Sequence, residues 1–280
     1  MRKSKLFHFV LLSVGIYLVC AALLFVFQRA FIYLPTVKYE HSFEQITLEN
    51  DDVNIQVIML NRGNENALIY FGGNAEAIIH NALKFSITFP TRTIYLVNYR
   101  GYGGSSGKPT EAGLFSDATA IFDNVSPAHK NIAVIGRSLG SGIAMHLAAN
   151  RAVNQVVLIT PYDSILAIAK KQFPVFPISL LLKDQYDSVG LANKVSAPVL
   201  VLAGGKDRII PLSHSQKLVD ALGSRKGNEK EQKNVTMIIF EQAGHNNISQ
   251  SEDYYESLTS FFDGMPMKTK IEGIQQIMVH

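Results

Sequence analysis

A chain of 280 residues, 47% hydrophobic and 18% charged, is long enough for one large core and too apolar to be read as disordered. Its formal charge of +3 does not describe a basic face, because Arg2, Lys3 and Lys5 carry that excess at the amino-terminal tip and the remainder balances at 23 against 23. No nucleic-acid partner is expected from such a distribution, and the single cysteine, Cys20, excludes an internal disulfide framework and a cysteine-based metal cluster.

The first element is apolar from Phe9 to Phe27, FVLLSVGIYLVCAALLFVF, without a charge or a proline. As a helix this stretch is roughly 30 Å long, the thickness of a bilayer's hydrocarbon. Leu6 and His8 extend it, and Gln28 and Arg29 close it. A lipid bilayer, engaged through residues 6–28, is thus the first expected partner. The basic tip favours a cytoplasmic amino terminus, which places the remaining chain on the extracytoplasmic side, whether periplasmic, luminal or extracellular. A cleaved signal peptide fits less well: its apolar core is shorter and ends in small residues, whereas Phe25-Val26-Phe27 stands here.

Residues 30–42 read as a linker in which Pro35 discourages a continuous helix. Short β-rich runs follow at 43–48, 55–60 and 67–71, separated by turn-like Asn50-Asp51-Asp52 and 61–66. The rhythm then alternates, with strands expected at 93–98, 131–135, 153–159, 197–203 and 235–240. Helices are expected at 111–124, 139–150, 213–222 and 254–262. This alternation predicts an α/β fold with a mostly parallel central sheet covered by helices on both faces. The segment 164–193 is too long for an ordinary strand–helix link, and its proline-punctuated apolar run marks it as a candidate lid. A single crossover helix between long loops is the plainer alternative. The tail, 264–280, reads as a short helix through Ile271, Ile274 and Met278. The resulting division is an anchor at 1–29, a linker at 30–42, a catalytic domain at 43–263 and a tail.

The chemistry concentrates at NIAVIGRSLGSG, residues 131–142. An apolar strand runs into Gly136-Arg137-Ser138-Leu139-Gly140 and then into a helix, the G-x-S-x-G pattern in its required context. The turn must be tight enough to push Ser138 out of the sheet edge with a strained backbone, and glycines two residues either side remove colliding side chains. A serine hydroxyl needs a base. His245 follows the strand at 235–240, Asp207 follows the strand at 197–203, and both lie beyond carboxyl ends of strands where such a sheet gathers its chemistry. The expected triad is therefore Ser138, Asp207 and His245. Asp163, after the strand at 153–159, is the alternative acid, with a helix cap as its plainer role. His214 reads as a surface residue at a helix start. Backbone N–H groups for a developing oxyanion are expected from Leu139 and, in the Gly72-Gly73-Asn74 loop, from Asn74, with Gly73 as the near alternative. Phe173, Phe176, Leu180 and Leu181 are the candidate lid and acyl-pocket residues. Tyr99–Gly107 has a glycine spacing one residue away from the dinucleotide pattern and reads as a structural turn. No cofactor and no metal are expected.

These segments resemble the single-pass, membrane-anchored serine hydrolases of the α/β-hydrolase superfamily, in particular the serine aminopeptidase-like and lysophospholipase/depalmitoylase branches. The likeness runs through FGGNAEAI (71–78), NYRGYGGSSGKP (98–109), GRSLGSG (136–142), TPYDS (160–164), GGKDRIIP (204–211) and AGHNN (243–247). It implies an esterase, lipase or thioesterase working through an acyl-serine, with an ester or acylated compound as substrate; a peptidase or an inactive tethered binding protein are the alternatives. Members often carry HGN where this chain has Gly72-Gly73-Asn74, a departure that bears on loop packing and substrate preference.

Overall fold

The computed structural model describes residues 2–224, 235–265 and 274–279. A nine-stranded sheet in the order β1-β2-β4-β3-β5-β6-β7-β8-β9 forms the centre. Its strands are β1 (Glu44–Asn50), β2 (Val53–Leu60), β3 (Asn66–Phe71), β4 (Arg92–Val97), β5 (Asn131–Arg137), β6 (Gln155–Ile159), β7 (Val199–Gly204), β8 (Val235–Phe240) and β9 (Ile274–Val279). From β4 to β8 every neighbouring pair is parallel. The antiparallel pairs, β1–β2, β2–β4 and β8–β9, lie at the two edges. The central strands are continuous apolar runs because both of their faces are covered.

Helices α2 (Ala82–Thr88) and α9 (Tyr254–Asp263) cover one face, packing Phe85 and Leu258 over Leu68, Ile94 and Leu200. Helices α3 (Glu111–Val125), α4 (Leu139–Asn150) and α8 (Leu212–Gly223) cover the other, where Leu114, Ile143 and Leu218 meet Ile69, Val134 and Val201. Between β6 and β7 the chain forms three short helices, α5 (Ile165–Gln172), α6 (Ile178–Leu181) and α7 (Ser188–Leu191), rather than one crossover helix.

Two expectations are corrected. The tail is a strand and not a helix: β9 pairs antiparallel with β8, Ile274 opposite Phe240 and Val279 opposite Val235. The spacing of Ile274 and Met278 suits a helix, but the open edge of β8 offers a full row of backbone partners; Ile271 lies outside the described residues. His214 is not a surface residue, since it is buried on the inner stripe of α8 with Leu218 and Leu222, at i, i+4 and i+8.

At the amino terminus, α1 (Arg2–Ile32) is one continuous helix, and an 18-residue window within Ser4–Ile32 has a mean hydropathy of 2.8 and stands outside the core. Its length and composition are those of a single membrane-crossing helix. The helix does not stop at Gln28 and Arg29. Both side chains turn onto the segment between β6 and β7: Gln28 Nε2 donates to the Leu181 carbonyl (3.0 Å), its Oε1 accepts from Lys183 N–H (2.6 Å), and Arg29 Nε donates to Asp184 (2.9 Å).

Candidate active site

β5 delivers Ser138 to the carboxyl edge of the sheet, and the turn there leaves no spare room. A Cβ on Gly136 would stand 2.4 Å from the Gly140 carbonyl oxygen, and one on Gly140 would stand 2.1 Å from that of Phe71. Ser138 itself has φ +49° and ψ −115°, a conformation that costs a residue with a side chain about 1–3 kcal/mol. The Ser138 N–H is held by the Ile159 carbonyl (2.9 Å), and its carbonyl accepts from Ser141 N–H (2.9 Å) and Ser141 Oγ (2.6 Å). The strain is therefore held by the neighbouring strand and the first turn of α4.

The loops after β7 and β8 bring Asp207 and His245 to this serine. His245 Nε2 lies 2.9 Å from Ser138 Oγ, and its Nδ1 lies 2.7 Å from Asp207 Oδ2. The second carboxylate oxygen of Asp207 accepts from Ile209 N–H (2.9 Å) and Ile210 N–H (2.8 Å). With Asp207 fixed as an acceptor, Nδ1 carries the proton and Nε2 is the acceptor facing the serine hydroxyl. The side chains of His245 and Asp207 are 9% and 2% exposed, so this chain of hydrogen bonds runs in a place of weak screening.

Asp163 is set apart from this group. Its Oδ1 faces His214 Nδ1 at 2.7 Å and accepts from Ser164 N–H, while Oδ2 lies 3.6 Å from Lys217 Nζ. The cap of α5 is Ser164, whose Oγ accepts from Ala167 N–H, so Asp163 is not the capping residue either. Two aspartate–histidine pairs thus stand near the carboxyl edge, and the one with a serine attached is Asp207–His245. His146 stacks face to face on Phe115 (3.9 Å between centroids).

The loop after β3 lies against Ser138, with a Cβ on Gly73 falling 3.6 Å from the Ser138 Cβ. The Gly73 N–H is taken by Glu76 Oε2 at 2.5 Å, whereas Asn74 N–H and Leu139 N–H have no acceptor among the described residues. Glu76 was not singled out by the sequence, yet it organises the loop: it also accepts from Tyr70 Oη (2.7 Å) and Asn81 Nδ2 (2.6 Å) and lies 3.3 Å from Arg137 Nη1. Its one signal was an acidic residue three positions after Gly73, the spacing at which a carboxylate returns to a backbone donor. The Asn74 side chain accepts from Leu34 N–H and Tyr102 Oη, both at 2.8 Å, and so ties the exit of α1 to this loop. The Tyr99–Gly107 turn is accordingly a buttress: Tyr99 Oη donates to the Gly72 carbonyl at 2.6 Å. Burial pushes the Tyr99 and Tyr162 hydroxyls well above the ordinary tyrosine pKa, so both remain neutral donors, Tyr162 to the Leu139 carbonyl at 3.0 Å.

Asn74, Ser138 and Leu139 form one side of a cavity of about 240 Å³. Leu24, Gln28, Phe31 and Ile32 of α1 form a second side, and Ile165, Ile168, Phe173, Ile178 and Leu181 a third. No charged side chain lines it among the described residues. Of the four candidate pocket residues, Phe173 and Leu181 are in the lining; Phe176 instead stacks on Tyr17 of α1 (5.0 Å), and Leu180 is 82% exposed. Among the described residues no group of histidine, cysteine and carboxylate side chains is placed to hold a metal ion.

Comparison with known proteins agrees with this architecture. An uncharacterized protein of Mycobacterium tuberculosis is 37% identical over 160 residues, covering 55% of this chain and 53% of its own length. Alpha/beta hydrolase domain-containing protein 17B of Homo sapiens is 30% identical over 172 residues, covering 60% of this chain and 55% of that protein. The chain thus spans a little over half the length of the curated relatives it matches. The solved esterase Pf2001 of Pyrococcus furiosus superposes with a TM-score of 0.64 at 19% identity, covering 83% of this chain and 97% of that one, and shares the fold. The model of the prolyl oligopeptidase family, Peptidase_S9, matches residues 124–267, the stretch that contains Ser138, Asp207 and His245. The chain has the α/β-hydrolase fold and belongs to the prolyl oligopeptidase family.

Proposed function

We propose that this protein is a membrane-anchored serine hydrolase that cleaves a carboxylic ester or thioester through an acyl-serine intermediate. The observation that carries the reading is the unbroken line Ser138 Oγ–His245 Nε2, His245 Nδ1–Asp207 Oδ2 at 2.9 and 2.7 Å. Ser138 Oγ attacks the substrate carbonyl carbon as its proton passes to His245 Nε2, and the new imidazolium is stabilised by Asp207. The carbonyl oxygen becomes an anion that accepts from Leu139 N–H and Asn74 N–H. Collapse breaks the bond to the alcohol or thiol, which leaves with the proton held by His245. Water then gives a proton to His245 as it adds to the acyl carbon, and the second collapse releases the carboxylic acid while Ser138 recovers its proton.

The basic tip supports a cytoplasmic amino terminus with the hydrolase domain, 43–263, on the opposite face of the membrane. The segment 164–193 is read as the lid of the cavity. A peptidase reading is favoured by the family match alone. The uncharged cavity offers nothing to hold a substrate's amino group and suits an apolar acyl group better. In detergent solution the purified chain is expected to hydrolyse a nitrophenyl ester and the matching thioester, with the matching anilide turned over far more slowly and all three lost in S138A. Faster turnover of peptide amides than of matched esters would overturn the ester reading.

Glu76 acts here as a positioning residue for the loop that carries the Asn74 N–H. Glu76→Ala is expected to lower kcat by about 10–100-fold with little change in KM, because the donor serves the transition state more than the bound ester. Glu76→Gln, which keeps an acceptor for Gly73 N–H, is expected to recover most of it. Equal losses in the two variants would contradict this role.

A further inference from the structure

The segment between α5 and α7 has a property that covering a cavity does not require. From Gln172 to Leu182, QFPVFPISLLL, it is uncharged, with Lys170 and Lys171 before it and Lys183 after it. Its most apolar side chains do not all turn inward: Val175 is 71% and Leu180 is 82% exposed. For a surface bathed in water such an arrangement is costly.

The partner for this surface is indicated by α1, because the segment lies along it. Asp184 meets Arg29, the Leu181 carbonyl meets Gln28, the Lys183 ammonium sits over the Phe25 ring, and the Val175 carbonyl and the Phe176 ring meet Tyr17. Tyr17 is twelve residues below Arg29, roughly 18 Å along the helix axis. The bilayer-crossing stretch of α1 is itself only roughly 30 Å long. Whatever surrounds α1 at Tyr17 therefore surrounds Val175 and Phe176 as well. The charged residues that touch α1, Lys183 and Asp184, meet it at Phe25 and Arg29, while the uncharged turn meets it lower, at Tyr17.

The geometry points to residues 173–182 as a second membrane-embedded element, inserted beside α1 into the leaflet next to the hydrolase domain, so that the Ser138 cavity draws on a fatty acyl ester or thioester resident in that leaflet. The substrate class rests on the serine-hydrolase reading above; the insertion does not. Leu24, Phe31 and Ile32 of α1 line the cavity with Phe173 and Leu181, so its walls continue from the leaflet to the serine. An acyl chain entering along these walls exchanges lipid for apolar protein without crossing water, while its carbonyl reaches Ser138. The anchor, in this account, is a wall of the site as well as a tether.

The chain contains no tryptophan, so a single introduced one reports its own depth. Full-length Val175→Trp is placed in vesicles of phosphatidylcholine and phosphatidylglycerol, with and without bromine atoms on the acyl chains. Lys130→Trp is the control, on an exposed side chain just before β5, at the end of that strand remote from Ser138. The Val175→Trp emission is expected to be blue-shifted and to lose most of its intensity in the brominated vesicles, with the control unaffected. Emission quenched by iodide in the water and not by bromine overturns the insertion. So does emission shielded from both, which would mean a protein partner such as a second copy. For the substrate class, Val175→Asp is expected to lower the ratio of vesicle-borne palmitoyl ester turnover to soluble acetyl ester turnover by about tenfold. An unchanged ratio with Val175→Trp still quenched overturns the leaflet substrate and leaves the insertion standing. Fluorophosphonate labelling of Ser138 in the same preparations separates either failure from a failure of the catalytic reading.

Discussion

Ser138→Ala and His245→Ala are each expected to lower kcat by about 10⁴–10⁶, and the double variant is expected to be no worse than the poorer of the two. In the proposed mechanism nucleophile and base act as one unit. With the imidazole gone, Ser138 Oγ has no acceptor for its proton, and with the hydroxyl gone, the imidazole has nothing to activate. Residual turnover above that in water is expected from the proposed amide donors and the cavity, which both variants retain. Because Ser138 adopts φ +49° at some conformational cost, its replacement by alanine keeps the backbone and is not expected to release the turn. Steady-state turnover of a nitrophenyl ester measures all three variants, and losses that multiply in the double variant would show that the two residues act separately.

The second large effect separates the two buried aspartates. Asp207→Asn is expected to lower kcat by about 10⁴, since an amide at that place cannot stabilise the imidazolium and favours the wrong tautomer of His245. Two of the acceptor positions of Asp207 serve Ile209 and Ile210 N–H, so an asparagine can keep the loop by presenting its carbonyl there, which turns its NH₂ toward His245. Asp163→Asn breaks a different pair. Its expected result is a loss of stability of about 1–3 kcal/mol, from the weakened contact with buried His214, and a loss of turnover far smaller than that of Asp207→Asn. Turnover measured beside thermal unfolding distinguishes the two, and an equal or greater activity loss for Asp163→Asn would reverse the assignment.

Much of this arrangement is legible in the sequence because local rules and long-range structure agree. The parallel strands are short apolar runs in regular alternation with helical stretches, and the glycines flanking Ser138 are required by contacts of 2.1–2.4 Å that any side chain would make. His214 was misread because a histidine looks polar until its buried partner, Asp163, is seen across fifty-one positions of sequence. The tail was misread because Ile274 and Met278 suit a helical stripe as well as a strand, and the free edge of β8 that decides between them is a tertiary fact. Glu76 was missed for the same reason: its four partners come from a strand, a loop, a short helix and the elbow. The contacts of α1 with the segment between β6 and β7 lie furthest from view. A helix read as an anchor by hydropathy gives no sign that Tyr17, Gln28 and Arg29 are already engaged by residues about 155 positions away.

The most direct test of the central claim is the position of a covalent label. A fluorophosphonate phosphonylates a serine only where a base removes the hydroxyl proton and donors stabilise the phosphoryl oxygen. Tandem mass spectrometry of the labelled chain is predicted to place a single adduct on Ser138, absent from the heat-unfolded protein and from H245A. An adduct on any other serine, or labelling of Ser138 that persists without His245, would contradict the account.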